Sequence, residues 1–173
     1  MSKLAVSGAE AVEPARTVTI NVPSDAASEK RARIYTTKQM GDACEMLVAA
    51  NLTLAGIPAL KVPDNWPGYD VVAQRADGST PLRISVKSRT FKSTGSDFVK
   101  YDDSDQFDWL AVVLIYPDDK RRRFYLLPRE VADAIALKDG ATAKTRERYW
   151  PLSKVEAALE LWEDNFSLTD RLP

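Results

Sequence analysis

Histidine is absent from this chain of 173 residues, and cysteine occurs once, as Cys44. Without histidine the chain has no Ser-His-Asp or Cys-His catalytic group, no histidine ligand for zinc and no imidazole general base. A single cysteine forms no internal disulfide and is too few for a thiolate zinc site. Any catalytic chemistry must therefore rely on carboxylates, lysine, arginine, hydroxyl groups or a metal ion bound by oxygen atoms.

Long apolar runs and an excess of one charge are absent as well. No stretch approaches the ~18 apolar residues of a membrane-spanning helix, and residues 1–10 have too short an apolar run for a secretory signal. The 24 Lys and Arg residues nearly balance the 25 Asp and Glu residues, which argues against a basic coat but leaves room for a local basic groove. We therefore expect a cytoplasmic protein without membrane contact.

The composition and periodicity of the chain predict its organisation. Residues 1–35 are rich in alanine, serine, glutamate and proline and predict an N-terminal arm, whereas residues 36–173 predict one domain. The first helix is predicted to start at Thr36, which fits a capping box with Gln39, and to end at Gly56. Strands are predicted over residues 57–62, 69–75, 82–89 and 109–116 and in a segment ending at Leu127. Two further helices are predicted over residues 128–138 and 153–164, and Ser153 and Glu156 fit a capping box for the second of them. This order, α-β-β-β-loop-β-β-α, predicts an α/β fold with a mixed central β-sheet flanked by helices.

The most informative local pattern is the predicted hairpin at Asp77-Gly78. A two-residue turn there places Asp70 directly opposite Ser85 and makes Lys87 its diagonal neighbour on the same polar face. The hairpin alone therefore brings a carboxylate and a lysine together. By spacing alone, the alternative is an exposed ion pair on a half-buried hairpin, which contributes under ~1 kcal/mol.

Three segments of the chain resemble the PD-(D/E)XK phosphodiesterase superfamily. They read GDACEMLVAA at 41–50, PGYDVV at 67–72 and ISVKS at 84–88, and the resemblance extends over roughly residues 36–127. It implies a restriction-endonuclease-like core and an endonuclease that hydrolyses nucleic-acid phosphodiester bonds, with DNA as the expected substrate. It also implies a homodimer, because many enzymes of this fold act as dimers.

The resemblance assigns a role to each matching residue. Asp70 and the backbone carbonyl of Val86 would bind the catalytic Mg²⁺ or Mn²⁺, and Lys87 would position the attacking water and stabilise the developing charge. Glu45 resembles the helix carboxylate that adds a further metal contact. Oxygen ligands suit Mg²⁺, which polarises the phosphate and acidifies a bound water without any histidine.

The sequence departs from the superfamily pattern at Ser85, where the motif has Asp or Glu, or Gln in one homing-endonuclease-like branch. Ser85 is therefore an auxiliary catalytic candidate only. A neutral hydroxyl is a weak Mg²⁺ ligand, so another carboxylate would have to compensate. Asp64, Asp97 and Glu45 are the candidates. On the helical wheel Glu45 lies away from the centre of the apolar stripe, so it faces either a groove or solvent.

Basic and aromatic residues surround the proposed site strand. Arg83, Arg89 and Lys92 are the predicted nucleic-acid contacts, because cationic side chains bind phosphates without reading sequence. A second basic run, 120–123, follows two aspartates and is better explained as a solvated face. Five aromatic residues could stack on bases: Trp66, Tyr69, Phe91, Phe98 and Tyr101. Packing in the core or at its rim is the commoner role of such residues.

The sequence thus predicts a metal-dependent nuclease. Its main alternative is a domain of the same fold that has lost the metal and binds nucleic acid or a protein partner, which Ser85 favours and the retained Asp70 and Lys87 disfavour. A further alternative is an unrelated α/β domain in which the hairpin pattern arose by chance.

Overall fold

The computed structural model describes residues 35–66, 68–91, 97–140 and 142–170. These residues belong to one compact unit, residues 34–173. The arm predicted over residues 1–35 lies outside the described residues except for Tyr35. In the described part of the chain, no helix combines the length and the apolar character needed to cross a membrane.

The described chain forms helices and strands in nearly the predicted order. The helices are α1 (Thr37–Leu54), α2 (Arg129–Ile135) and α3 (Leu152–Leu159), the last followed by a 3-10 turn at Glu160–Trp162. The strands are β1 (Ala59–Lys61), β2 (Val71–Ala73), β3 (Leu82–Thr90), β4 (Phe98–Asp102), β5 (Trp109–Tyr116), β6 (Arg121–Pro128), β7 (Leu137–Lys138) and β8 (Glu147–Pro151).

Helix α1 begins and ends where the sequence predicts. The Thr36 side chain accepts a hydrogen bond from the Gln39 amide, and the Gln39 side chain accepts one from the Thr36 amide, so the capping box is present. These two bonds satisfy amides that the first helical turn leaves without partners. Past the last turn, Gly56 adopts a φ of +90°, a conformation that glycine adopts without steric cost and that ends the helix.

The central sheet has five strands in the order β1-β2-β3-β5-β6. Strands β3 and β5 are parallel, and the other neighbours are antiparallel, so the predicted mixed sheet is confirmed. One detail of the prediction is wrong. Strands β2 and β3 are joined by the longer loop 74–81 rather than by a two-residue turn, because β2 already ends at Ala73.

Strand β5 is buried on both faces, as its uninterrupted apolar sequence predicts. One face contributes to the helix-side core, where α1 packs on the sheet; its buried residues include Val48, Leu52, Val71, Ile84, Trp109, Val113 and Leu126. The other face contributes to the sheet-side core, whose buried residues include Val99, Tyr101, Leu110, Val112, Leu114, Trp150 and Leu159. The central sheet is therefore the middle layer of the unit.

A second sheet, which the sequence did not predict, covers the other face of the central sheet. Its three strands lie in the order β4-β8-β7, all antiparallel. Two predicted helices are shorter than expected, because residues 137–138 form β7 and α3 ends at Leu159. The capping box expected at Ser153 is wrong: α3 starts after Pro151 and has no side-chain cap.

Candidate metal-binding and catalytic site

Asp70 lies immediately before β2, at the point where β2 and β3 separate. The ladder begins with Val71 opposite Ile84, which is the predicted register. The Asp70 amide donates to the Ile84 carbonyl at 2.9 Å. Its carboxylate Oδ2 accepts hydrogen bonds from the Val86 amide at 2.6 Å and from the Ser85 hydroxyl at 3.4 Å. The predicted proximity of Asp70 and Ser85 is therefore present, through a side-chain contact.

Lys87 lies on the same face of β3 as Ser85. In the parallel ladder, Ser85 pairs with Leu110 and Lys87 pairs with Val112, and both partners belong to the sheet-side core. Because side chains alternate along a strand, residues two apart share a face. The Asp70 carboxylate contacts Ser85, so Asp70 and Lys87 approach β3 from the same side. The side chains of Asp70 and Lys87 therefore lie on the same face of the sheet, as the sequence predicts.

The backbone of Val86 is directed towards Asp70. Its amide reaches the Asp70 carboxylate, and the carbonyl of the same residue points to the same edge of the strand, as in any extended segment. Within the described ranges nothing donates to Asp70 Oδ1, since both hydrogen bonds end on Oδ2. Two oxygen atoms of the type that Mg²⁺ prefers therefore lie at this edge of β3.

Ser85 acts as a hydrogen-bond donor to Asp70 and is enclosed by its neighbours, with 1% of its surface exposed. Its hydroxyl stabilises the Asp70 carboxylate but brings no negative charge.

Glu45 lies in a separate cluster of charges along the N-terminal half of α1. Its carboxylate is 2.7 Å from Lys61 Nζ. Ligand atoms of Asp42, Glu45 and Asp64 lie within 4.8 Å of one another, and lysines fill the space between these carboxylates. Hydrogen bonds from Lys38 and Lys61 lower the pKa of Asp64 to about 2. In this ion-pair network the lysines neutralise part of the charge of the acidic cluster.

The Glu45 cluster and Asp70 lie on different faces of the central sheet. Lys61, which binds Glu45, pairs with Val71, whose side chain points into the helix-side core. Asp70 contacts Ser85, whose neighbours form the sheet-side core. No hydrogen bond or ion pair among the described residues joins Glu45 to Asp70, so the structure does not bring together these two predicted metal ligands.

The predicted nucleic-acid contacts differ in their surroundings. The Arg83 guanidinium forms two hydrogen bonds with Asp108, at 2.8 and 3.1 Å, and this pairing lowers the pKa of the Asp108 carboxyl. Arg89 instead donates to the carbonyls of Phe98 at 2.9 Å and Ser88 at 2.8 Å. Lys92 lies outside the described residues.

Most of the other basic and aromatic candidates serve the fold. In the run 120–123, Arg123 pairs with Glu163 and Arg121 with Asp119, which agrees with a solvated, ion-paired face. Tyr101 is buried and packs on Trp150. The remaining candidates pack as pairs, Phe91 with Tyr116, Trp66 with Tyr69, and Phe98 with Tyr149.

Sequence reasoning missed Asp105. This residue follows β4, and its Oδ2 lies 3.5 Å from Lys87 Nζ. It belongs to none of the three motif segments. The signal that points to it is the acidic run 102–105 just before the buried strand β5, because a loop at that position reaches the sheet edge next to β3. Of the compensating carboxylates named from sequence, Asp64 joins the Glu45 cluster and Asp97 lines a surface pocket with Arg89.

Comparison with known proteins gives two similar structures. A bacterial homing endonuclease matches with 21% sequence identity and a TM-score of 0.46, covering 67% of this chain and 78% of its own. A Holliday junction resolvase from Archaeoglobus fulgidus matches with 18% identity and a TM-score of 0.42, covering 67% of this chain and 91% of its own. No protein-family model and no curated protein matches the chain.

Proposed function

We propose that this chain is a metal-dependent nuclease that hydrolyses phosphodiester bonds in nucleic acid, with DNA as its substrate. The observation that carries the proposal is that Asp70 and Lys87 lie on one face of β3, with the Asp70 carboxylate held by the Val86 amide. A carboxylate and a main-chain carbonyl can hold a divalent cation, and an ammonium group can stabilise the charge that develops on the phosphate.

The donor set fits a divalent cation. Asp70 Oδ1 and the Val86 carbonyl would hold Mg²⁺ or Mn²⁺. An ion of this kind commonly takes one or two carboxylates from the protein and completes its shell with waters and substrate phosphate oxygens. Once bound, it would polarise the phosphate and lower the pKa of an attacking water.

The protein side chains have separate tasks in this proposal. The Val86 amide and the Ser85 hydroxyl fix the orientation of the Asp70 carboxylate by holding Oδ2. Lys87 places a positive charge next to the scissile phosphate, where negative charge develops in the transition state. Arg89 shares the face of Lys87 on β3 and supplies a sequence-independent contact to a neighbouring phosphate.

A second candidate function is a nuclease-fold domain without catalysis that binds nucleic acid or a protein partner. Two observations favour it. Ser85 is neutral where the superfamily motif is acidic, and Glu45 is paired with Lys61 on the other face of the sheet. Both weaken metal affinity, because fewer charged ligands surround the ion.

Substitution of Asp70 and Lys87 separates metal binding from chemistry. We expect Asp70→Asn to lose both Mn²⁺ binding and cleavage, because it removes the ligand charge. We expect Lys87→Met to keep Mn²⁺ binding and to lose cleavage by about 10²-fold or more, the usual range for a group that assists proton transfer or charge stabilisation. Calorimetric titration of Mn²⁺ and Mg²⁺ and a plasmid-nicking assay measure the two quantities. Lys154→Met, at an exposed site on α3, is the matched control.

Each outcome distinguishes the two candidates. Metal binding and nicking that are lost together in Asp70→Asn support the nuclease. Plasmid binding without saturable metal binding or nicking, tested with the plasmid present so that a site completed by substrate is not missed, favours the domain without catalysis. Nicking that persists unchanged in both variants would place catalysis elsewhere in the chain.

A further inference from the structure

Asp105 and Lys87 form a contact that neither the motif resemblance nor the proposed metal site explains. We infer that Asp105 is the positioning residue for Lys87 and takes over the charge balance that an acidic residue at the position of Ser85 would provide. The inference rests on the proposed function and names a further residue of the same site. Asp105 acts through Lys87, since its Oδ2 lies 3.5 Å from Lys87 Nζ.

The need for such a residue follows from Ser85. Lysine carries its charge on a flexible four-carbon stem, so its ammonium group requires a partner to stay in one place. The Lys87 side chain is 26% exposed, so it is partly withdrawn from water. The hydroxyl of Ser85, two residues earlier on the same face, is directed to Asp70 and has no charge. Ser85 therefore offers Lys87 no negative charge, whereas Asp105 offers one from another segment of the chain.

The loop that carries Asp105 is held in place by several contacts. The Arg129 guanidinium donates to the Asp103 carbonyl at 2.7 Å and to the Asp105 carbonyl, and it lies 4.6 Å from the ring centre of Phe107. The Asp105 amide donates to the Asp102 carbonyl at 3.1 Å, which closes a turn. A loop fixed at its backbone gives the carboxylate a defined position against Lys87.

The same loop touches the segment that carries Asp70. A Cβ atom on Gly68 would lie 2.5 Å from the Gln106 nitrogen and 3.4 Å from the Asp105 carbonyl carbon, so these two backbones are in direct contact. Gly68 is two residues before Asp70, and Gln106 follows Asp105. Three separate segments of chain thus meet at one place, carrying Asp70, Lys87 and Asp105. The convergence depends on tertiary contacts, not on the motif.

A double-mutant cycle tests the inference. We expect Asp105→Asn to lower the single-turnover cleavage rate by about 10-fold to 10²-fold, because a misplaced catalytic group loses the benefit of orientation. Mn²⁺ affinity and KM should stay within twofold of the wild-type values. In the Lys87→Met background, Asp105→Asn should have no further effect on the cleavage rate. Asp118→Asn, in the exposed β5–β6 turn, is the matched control and should cleave like the wild type.

An unfolding cycle on the same variants gives a readout that needs no activity. If Asp105 acts through Lys87, the decrease in unfolding midpoint temperature of the double variant should be smaller than the sum of the decreases of the two single variants. Additive losses in cleavage and in unfolding would overturn the inference. Loss of Mn²⁺ binding in Asp105→Asn would also overturn it and make Asp105 a metal ligand. A wild-type protein that cleaves no plasmid would instead refute the proposed function, whereas a wild type that cleaves as fast as Asp105→Asn would refute only the positioning role.

Discussion

Gly68 is the residue on which the contact between the two site loops depends. It has a φ of +80°, and a Cβ atom there would meet the Gln106 backbone nitrogen at 2.5 Å. We predict that Gly68→Ala lowers the free energy of unfolding by more than the ~1–2 kcal/mol expected for a left-handed conformation alone. It should also reduce cleavage, because the backbones next to Asp70 and Asp105 must move apart. Denaturant unfolding and the nicking assay check the two effects.

Gly78→Ala is the matched control for this prediction. Gly78 has a similar φ of +72°, but no atom lies within 4 Å of a Cβ built there. It therefore reports the cost of the backbone conformation without a collision. Equal destabilisation of the two variants, with cleavage unchanged in both, would show that the loop contact at Gly68 is unimportant.

The predictability of each site residue depends on the range of the contacts that place it. Asp70, Ser85 and Lys87 were predictable as neighbours because strand alternation and one ladder register fix them. The placement of Glu45 and Asp70 on different faces of the sheet was not predictable, because it depends on how α1 lies on the sheet. The role of Asp105 was not predictable either, because its contact with Lys87 depends on the conformation of the loop that precedes β5.

At the scale of elements, strong local signals were sufficient for part of the fold. The capping box specified the start of α1, and eight consecutive apolar residues specified β5. The β2–β3 register was correct although the turn was not. In the structure the Asp77 side chain accepts a hydrogen bond from the Ser79 amide at 2.9 Å, and the Gln74 side chain donates one to the Ser79 carbonyl at 2.7 Å. These bonds replace ladder bonds, so the strands end early without a shift in register.

The second sheet was missed because its strands pair across a long stretch of chain. Strand β4 has alternating burial, with Val99 and Tyr101 buried and Phe98 and Lys100 exposed. That pattern suits a strand, but its partner β8 lies some fifty residues further along and is bounded by no turn signal near β4. The hydrophobic periodicity of a strand indicates which of its faces is buried, but it does not indicate which other strand pairs with it.

The ion-pair network between β6 and the chain after α3 predicts a pH dependence. Arg123 donates to Glu163 and Glu156, and the nearby guanidinium lowers the pKa of the Glu163 carboxyl. Because the pKa of Glu163 is lower in the folded state, its ionised carboxylate stabilises the fold fully above the unfolded-state pKa of about 4.3. This stabilisation is lost as the pH falls through the folded-state pKa. We predict that Glu163→Gln lowers the free energy of unfolding by about 1 kcal/mol at pH 7, and by progressively less below pH ~4.

Urea unfolding at a series of pH values measures this difference. Glu160→Gln is the control, because Glu160 lies in the same turn and is exposed. A Glu163→Gln variant whose loss of stability stayed constant from pH 7 to pH 3 would contradict the electrostatic explanation. Such a result would point to packing of the side chain instead.

At the scale of the whole described unit, β5 connects the two cores. Trp109, Ala111 and Val113 contribute to the helix-side core. Leu110, Leu114 and Val112, on the opposite face of the same strand, contribute to the sheet-side core. Neither core can lose its packing without exposing one face of the central sheet. The candidate site depends on both, since Asp70 and Lys87 belong to the central sheet and Asp105 follows a strand of the second sheet.

We therefore predict that residues 35–170 unfold in one cooperative transition, and matched leucine substitutions test it. Leu126 in the helix-side core and Leu114 in the sheet-side core both have 0% exposure. Each change to alanine should lower the free energy of unfolding by about 2–5 kcal/mol, from lost burial and the cavity left behind. Far-UV circular dichroism and tryptophan fluorescence should give coincident transitions in guanidinium chloride for both variants. A biphasic transition in either variant would mean that one core unfolds alone, and the site would then depend on only half of the unit.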